Sequence, residues 1–117
     1  MRTGQLSDPA LLEHYRQLAA ECPAMAPMRD LVEILRGRDY AEAMPAGTSI
    51  DRLTIGAEES DGIVVIYWPA VRAFEVHYCH HRTFRKEKHT GDLGMAERLV
   101  DSLVLRLVIR ERYQEAA

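Results

Sequence analysis

Thiols are scarce in this chain: among its 117 residues only Cys22 and Cys79 carry one. Two cysteines in segments of quite different character cannot build the disulfide framework of a small secreted scaffold, so free thiols are the simpler reading. Long apolar runs are missing as well, since no window reaches the roughly 18 uninterrupted apolar residues that a membrane span needs. Arg2 is not followed by the apolar stretch of a secretory signal. A cytoplasmic protein without membrane association is expected. Also missing are any nucleotide-binding glycine motif and any glycine loop of the oxyanion-forming kind, which removes the usual supports for phosphate binding and for acyl-transfer chemistry. The chain is expected not to be an enzyme and to need no cofactor.

What is present is the composition of an ordinary globular protein, 47% hydrophobic and 28% charged, and the length suits one domain over residues 1–117. The net charge of −3 is unevenly distributed. Residues 1–61 carry 6 basic and 11 acidic side chains, and residues 62–117 carry 9 and 7. An acidic chain has no general attraction for nucleic acid unless its basic residues cluster.

Periodicity assigns the chain to the α+β class. Asp8-Pro9 has the form of a helix start, with a carboxylate to cap free amides and a proline where a missing N–H costs nothing. Leu11, Leu12, Tyr15, Leu18 and Ala19 then recur at helical spacing, which predicts a helix over 8–22. Met28, Leu31, Val32 and Leu35 repeat the pattern over 27–36, with Gly37 as a left-handed stop, and the two helices are expected to form a hairpin. Residues 38–51 show no sustained period and are read as either a short helix near Tyr40 to Met44 or a loop with a function. Alternation then predicts strands over 52–57, 63–68 and 73–80, and a fourth at 83–89 on a sheet edge, in an antiparallel meander of three to four strands. Ile63 to Trp68 is apolar on both faces, as in a central strand covered on both sides. One of Tyr67 and Trp68 is assigned to the core.

A long helix over 93–113 follows, with Asp92 as cap and Ala96, Leu99, Val100, Leu103, Val104 and Leu107 as the stripe that packs on the sheet. Leu105 and Ile109 fall on its opposite side. Either the N-terminal helices cover them, which is the simpler arrangement, or they belong to a homodimer or partner surface.

Four groups of residues bear on chemistry. His77, Cys79 and His81 share one strand face, with His89 beyond them, and imidazole with thiolate suits zinc or copper. Their spacing matches no zinc signature, and residues two apart in a strand lie nearly 7 Å apart, so a solvent-facing strand side is the favoured reading and the metal or ligand module the alternative. Arg82, Arg85, Lys86 and Lys88 around Phe84 form a basic run, but without a recognition helix or stacking motif it reads as a solvated edge rather than a nucleic-acid site. Cys79 beside histidines lacks the surroundings of a catalytic thiol. Finally, Glu58, Glu59 and Asp61 form an acidic turn that Asp39, Glu42 and Asp51 would extend if residues 38–51 fold back beside it. A negative surface of that kind suits a basic protein partner.

The hairpin strand Arg72-Ala73-Phe74-Glu75-Val76-His77-Tyr78, the charged strand after it, and Thr90-Gly91-Asp92 leading into a helix with Ala96, Leu99, Val100 and Leu103 resemble small immunity proteins of bacterial contact-dependent toxin systems. The resemblance covers about residues 62–109. It implies a small cytoplasmic α+β protein that neutralises a cognate toxin by covering its active site, with no chemistry of its own. On that reading Asp39, Tyr40, Glu42, Glu58, Glu59 and Asp61 are the candidate partner-binding residues, with the tyrosine as a hot spot inside an acidic rim.

Overall fold

The computed structural model describes residues 2–116. The chain opens with a strand, β1 (Arg2–Gln5), ahead of the first helix, α1 (Pro9–Glu21). The expected capping by Asp8 does not occur. Its carboxylate turns back to accept from the Gln5 N–H at 2.9 Å, while its carbonyl accepts from Leu11 N, so Asp8 ties β1 to α1 instead. Gly4 permits this, because a Cβ there would stand 1.6 Å from the Asp8 carboxylate. A short 3-10 turn at Pro23–Met25 leads into α2 (Ala26–Arg36), and Arg16 pairs with Glu33 across the resulting hairpin. Gly37 ends α2 at φ −81°, not in the left-handed conformation expected of it.

Residues 38–44 are neither a helix nor a free loop. They wind through consecutive turns, with Ala41 N donating to Arg38 O and Met44 N to Tyr40 O, and they are pinned to the N-terminus by Leu6 N→Met44 O and Ser7 N→Ala41 O. The rest of the aperiodic stretch is a strand, β2 (Pro45–Ser49). It is followed by β3 (Arg52–Ile55), β4 (Gly62–Trp68), β5 (Ala73–Cys79), β6 (Lys86–Gly91) and the long helix α3 (Leu93–Ala116).

The sheet therefore has six strands rather than three or four. All neighbours are antiparallel, in the order β1-β2-β3-β4-β5-β6. The two additional strands escape detection for a physical reason: Arg-Thr-Gly-Gln and Pro-Ala-Gly-Thr-Ser hold few of the β-branched and aromatic residues that mark strands, and their pairing with neighbours supplies what propensity does not. β3 stops at Ile55 because Gly56 takes φ +118°. β6 is shifted to 86–91, since Phe84 lies in the preceding turn with φ 56°.

Register places Leu53, Ile55, Ile63, Val65, Phe74, Val76 and Tyr78 on one face, with Tyr67, and all of them are buried. Onto this face pack Leu11, Leu12 and Tyr15 of α1, Met28, Leu31, Val32 and Leu35 of α2, and Ala96, Val100, Val104 and Leu107 of α3, in one continuous core. The helical stripe predicted for α3 is the face that meets the sheet. Asp92 caps that helix through Met95 N→Asp92 Oδ1 at 2.9 Å.

Two expectations about coverage fail. Leu105 and Ile109 are 61% and 45% exposed, so the N-terminal hairpin does not reach them; it packs beside α3 over the sheet rather than on the far side of α3. The second face of the sheet, with Val64, Ile66, Trp68, Glu75, His77 and Cys79, has none of the helices of the core cluster packed on it, although Ile66 there is buried and Glu75 and His77 are half-buried. Tyr67 points to the core and Trp68 to this outer face.

Candidate functional site

The turns of residues 38–44 deliver the chain to Pro45, whose carbonyl accepts from Gly56 N at 2.8 Å. That bond brings the end of the 38–44 connection and the start of the acidic turn to the same end of the sheet. The two segments that hold the candidate acidic residues thus lie at the same end of the sheet but border separate pockets, Glu59 standing with Arg82 and Arg110 in the second, and Asp51 is at the opposite end in the β2–β3 hairpin. Asp39 and Glu42 are exposed around a shallow pocket shared with Ser7, Arg36, Gly37 and Arg38. Glu58 and Glu59 are exposed in a turn held by Ser60, whose hydroxyl donates to the carbonyls of Ala57 and Asp61.

Tyr40 is half-buried and tied to α3. Its hydroxyl donates to Asp101 Oδ1 at 2.5 Å, and Arg38 holds the same carboxylate at 3.1 Å while its other nitrogen pairs with Glu97. Burial, and then the bond to the Asp101 carboxylate, push the phenol well above its ordinary range. Tyr40 presents less free surface than an isolated loop tyrosine.

Asp61 is not part of the exposed rim. It is 6% exposed, and its carboxylate accepts from the Tyr78 hydroxyl at 2.8 Å and from the His81 N–H at 2.9 Å, with Arg110 Nε forming an ion pair at 3.2 Å. Burial alone would raise its pKa, but the His81 and Tyr78 hydrogen bonds and then the Arg110 charge outweigh burial and hold it below the usual range. The reason an acidic turn residue is drawn inward is Gly56. A Cβ there would meet the Asp61 carbonyl at 2.9 Å, so the glycine lets the 56–62 loop close tightly over the end of the sheet.

A second part of the same network lies next to it. The Arg106 guanidinium stands 4.1 Å from the Tyr78 ring centre and binds Glu87 through two nitrogens, at 3.0 and 2.7 Å. His80 Nε2 lies 2.5 Å from the same carboxylate. Hydrogen bonds from Arg106 and then His80 lower the Glu87 pKa to about 2. Asp61, Tyr78, Arg106, Glu87, His80 and Arg110 together clamp α3 to one end of the sheet. Sequence reading misses this network because its members come from four separate segments. The i, i+4 spacing of Arg106 and Arg110 on one side of α3 is the hint the sequence offers.

The histidine-rich strand does not assemble into a centre. His77 and Cys79 share the outer face, but His77 Nε2 lies 3.2 Å from Glu75 Oε2, and His81 falls beyond the end of β5 in an exposed turn. No group of three or more His, Cys, Asp or Glu side chains is placed to hold a metal ion among the described residues. Burial pushes the Cys79 thiol up, which works against thiolate chemistry. The basic run surrounds an 85% exposed Phe84 at the β5–β6 turn.

At the other end of the sheet, the β2–β3 hairpin carries Ile50 at φ 61° and 89% exposed, close in register to Trp68. An isoleucine in this conformation is a steric outlier, and hairpins of this kind ordinarily place glycine there. No helix among the described residues is long and apolar enough to cross a membrane. No protein family, no curated protein and no solved structure matches this chain.

Proposed function

We propose that the chain is a non-enzymatic partner-binding protein that, like the immunity proteins its second half resembles, neutralises a cognate toxin in the cytoplasm by covering the toxin's active site. The observation that carries this reading is the placement of two acidic connections at the same end of the sheet. Asp39, Glu42, Glu58 and Glu59 all face solvent there, and none of them takes part in an ion pair among the described residues. Unpaired, exposed carboxylates suit a basic partner, whose approach they accelerate and whose orientation they select. Asp61 supports the surface from beneath by fixing the turn.

Co-expression with the product of the adjacent gene tests the proposal. A stable complex and relief of that product's toxicity are expected, with both lost when Asp39, Glu42, Glu58 and Glu59 are replaced together by lysine. Failure to form a complex, together with failure to relieve toxicity, would overturn it. A homo-oligomer assembled through α3 is a second reading, favoured by the exposure of Leu105 and Ile109 on one side of that helix.

A further inference from the structure

Among the described residues β6 is the last strand of the sheet and is paired with β5 on one side only. In an antiparallel ladder, alternate residues of such a strand direct their N–H and C=O groups away from the neighbour. α3 packs on the sheet over β4, β5 and β6, and where it passes β6 the two elements bound a groove of about 360 Å³ lined by His89, Thr90, Met95, Arg98, Leu99 and Ser102. Met95 and Leu99 are half-buried hydrophobics that pack against the core and give the groove an apolar floor. One helical turn past Ser102, the exposed Leu105 continues that apolar surface.

The charges that are not neutralised here are basic. Arg98 stands in the groove, while register puts Lys86 and Lys88 on the outer face of the sheet beside Cys79 and His77, where Lys88 lies 3.9 Å from Glu75; all three basic groups are exposed, and among the described residues no carboxylate lines the groove. The one acidic residue of β6, Glu87, is held by Arg106 and His80.

We propose that the β6 edge and its groove form a strand-addition site for an extended acidic segment of a partner protein, one that alternates carboxylates with apolar side chains. Main-chain bonds to the free edge supply the affinity, the groove takes the alternate apolar side chains, and Lys86 and Lys88 on the outer face of the sheet meet the acidic ones. A second copy of this chain is a poor occupant, because pairing edge to edge would bring the lysines and Arg98 of one copy against those of the other. The site uses none of Asp39, Glu42, Glu58 and Glu59, so it stands whether or not those residues bind a toxin.

The test selects a library of random displayed heptapeptides on the intact chain, then synthesises the most enriched sequence and measures its binding by fluorescence anisotropy. Enrichment of peptides that alternate acidic and apolar residues is expected, with protection of the 86–91 amides from hydrogen exchange when the peptide is bound. Lys86→Glu should weaken that peptide at least about tenfold with an unchanged melting temperature, and N-methylation of its alternate amides should do the same. The proposal is overturned if no sequence is enriched, if the enriched peptides are neutral or basic, or if their binding survives Lys86→Glu or N-methylation. Concentration-dependent self-association that protects the same amides without peptide would assign the edge to a second copy and would equally overturn it.

Discussion

Asp61 shows how far a side chain's role depends on what surrounds it. In the sequence it stands among Glu58, Glu59 and Ser60 in a solvated turn, yet it is buried, accepts two hydrogen bonds and pairs with Arg110. Removing the carboxylate with Asp61→Ala leaves the Tyr78 hydroxyl and the His81 amide without their acceptor, and chemical denaturation should report a loss of about 2–4 kcal/mol. Tyr78→Phe, which takes away one donor and leaves Asp61 the His81 amide and Arg110, should cost less, about 1–2 kcal/mol. Equal costs for the two would contradict the network described here. Ile50 presents the opposite case. It is 89% exposed, contributes no core packing and occupies a backbone conformation that L side chains avoid. Relief of that strain exceeds the entropic cost of a glycine, so Ile50→Gly should raise stability by about 1 kcal/mol in the same assay. A residue that costs stability and faces solvent is one whose presence the fold does not explain.

Among the elements, α3 was the most legible. The spacing of Ala96, Val100, Leu103, Val104 and Leu107 is helical and apolar, and those residues are buried. β4 and β5 were legible for a similar reason, since Val, Ile, Tyr and Phe at period two state both the strand and its inward face. β1 and β2 were not, because their residues favour no strand in isolation and are held by Leu6 N→Met44 O, Gly56 N→Pro45 O and their ladders. The second side of α3 was legible only as a question, and the structure leaves Leu105 and Ile109 exposed. Replacing both by serine should therefore change the unfolding free energy by no more than about 0.5 kcal/mol. If light scattering finds a dimer of the unaltered chain that these changes dissociate, the pair belongs to a subunit contact; a monomer before and after leaves it to another partner or to solvent.

Taken as a whole, the molecule has two layers, with three helices on one face of a six-stranded sheet and none of them on its other face. Its acid sensitivity is a property of this assembly. Asp61, Glu75 and Glu87 all have folded-state pKa values below their ordinary ones, Glu87 at about 2. Depressed carboxylates contribute stability that is fully present above the unfolded pKa, roughly 4, and that is lost as pH falls through the folded value. Urea midpoints should accordingly be level above about pH 5 and fall between about pH 4 and 2. Replacing Glu87 by glutamine should flatten part of that decline, and a midpoint that stays level down to the acid limit would contradict the assignment. Local pattern was enough to establish the α+β class, the helical hairpin, the central strands and the inward stripe of α3, because a helix or strand records in its own residues which side avoids water. The long-range pairings were settled only by the tertiary structure: the two unsignalled strands, the inward turn of Asp61, the tethering of Tyr40 to Asp101, and the free edge of β6 beside its groove. Each of these depends on groups that lie far apart in the chain, and no local period encodes a contact between them.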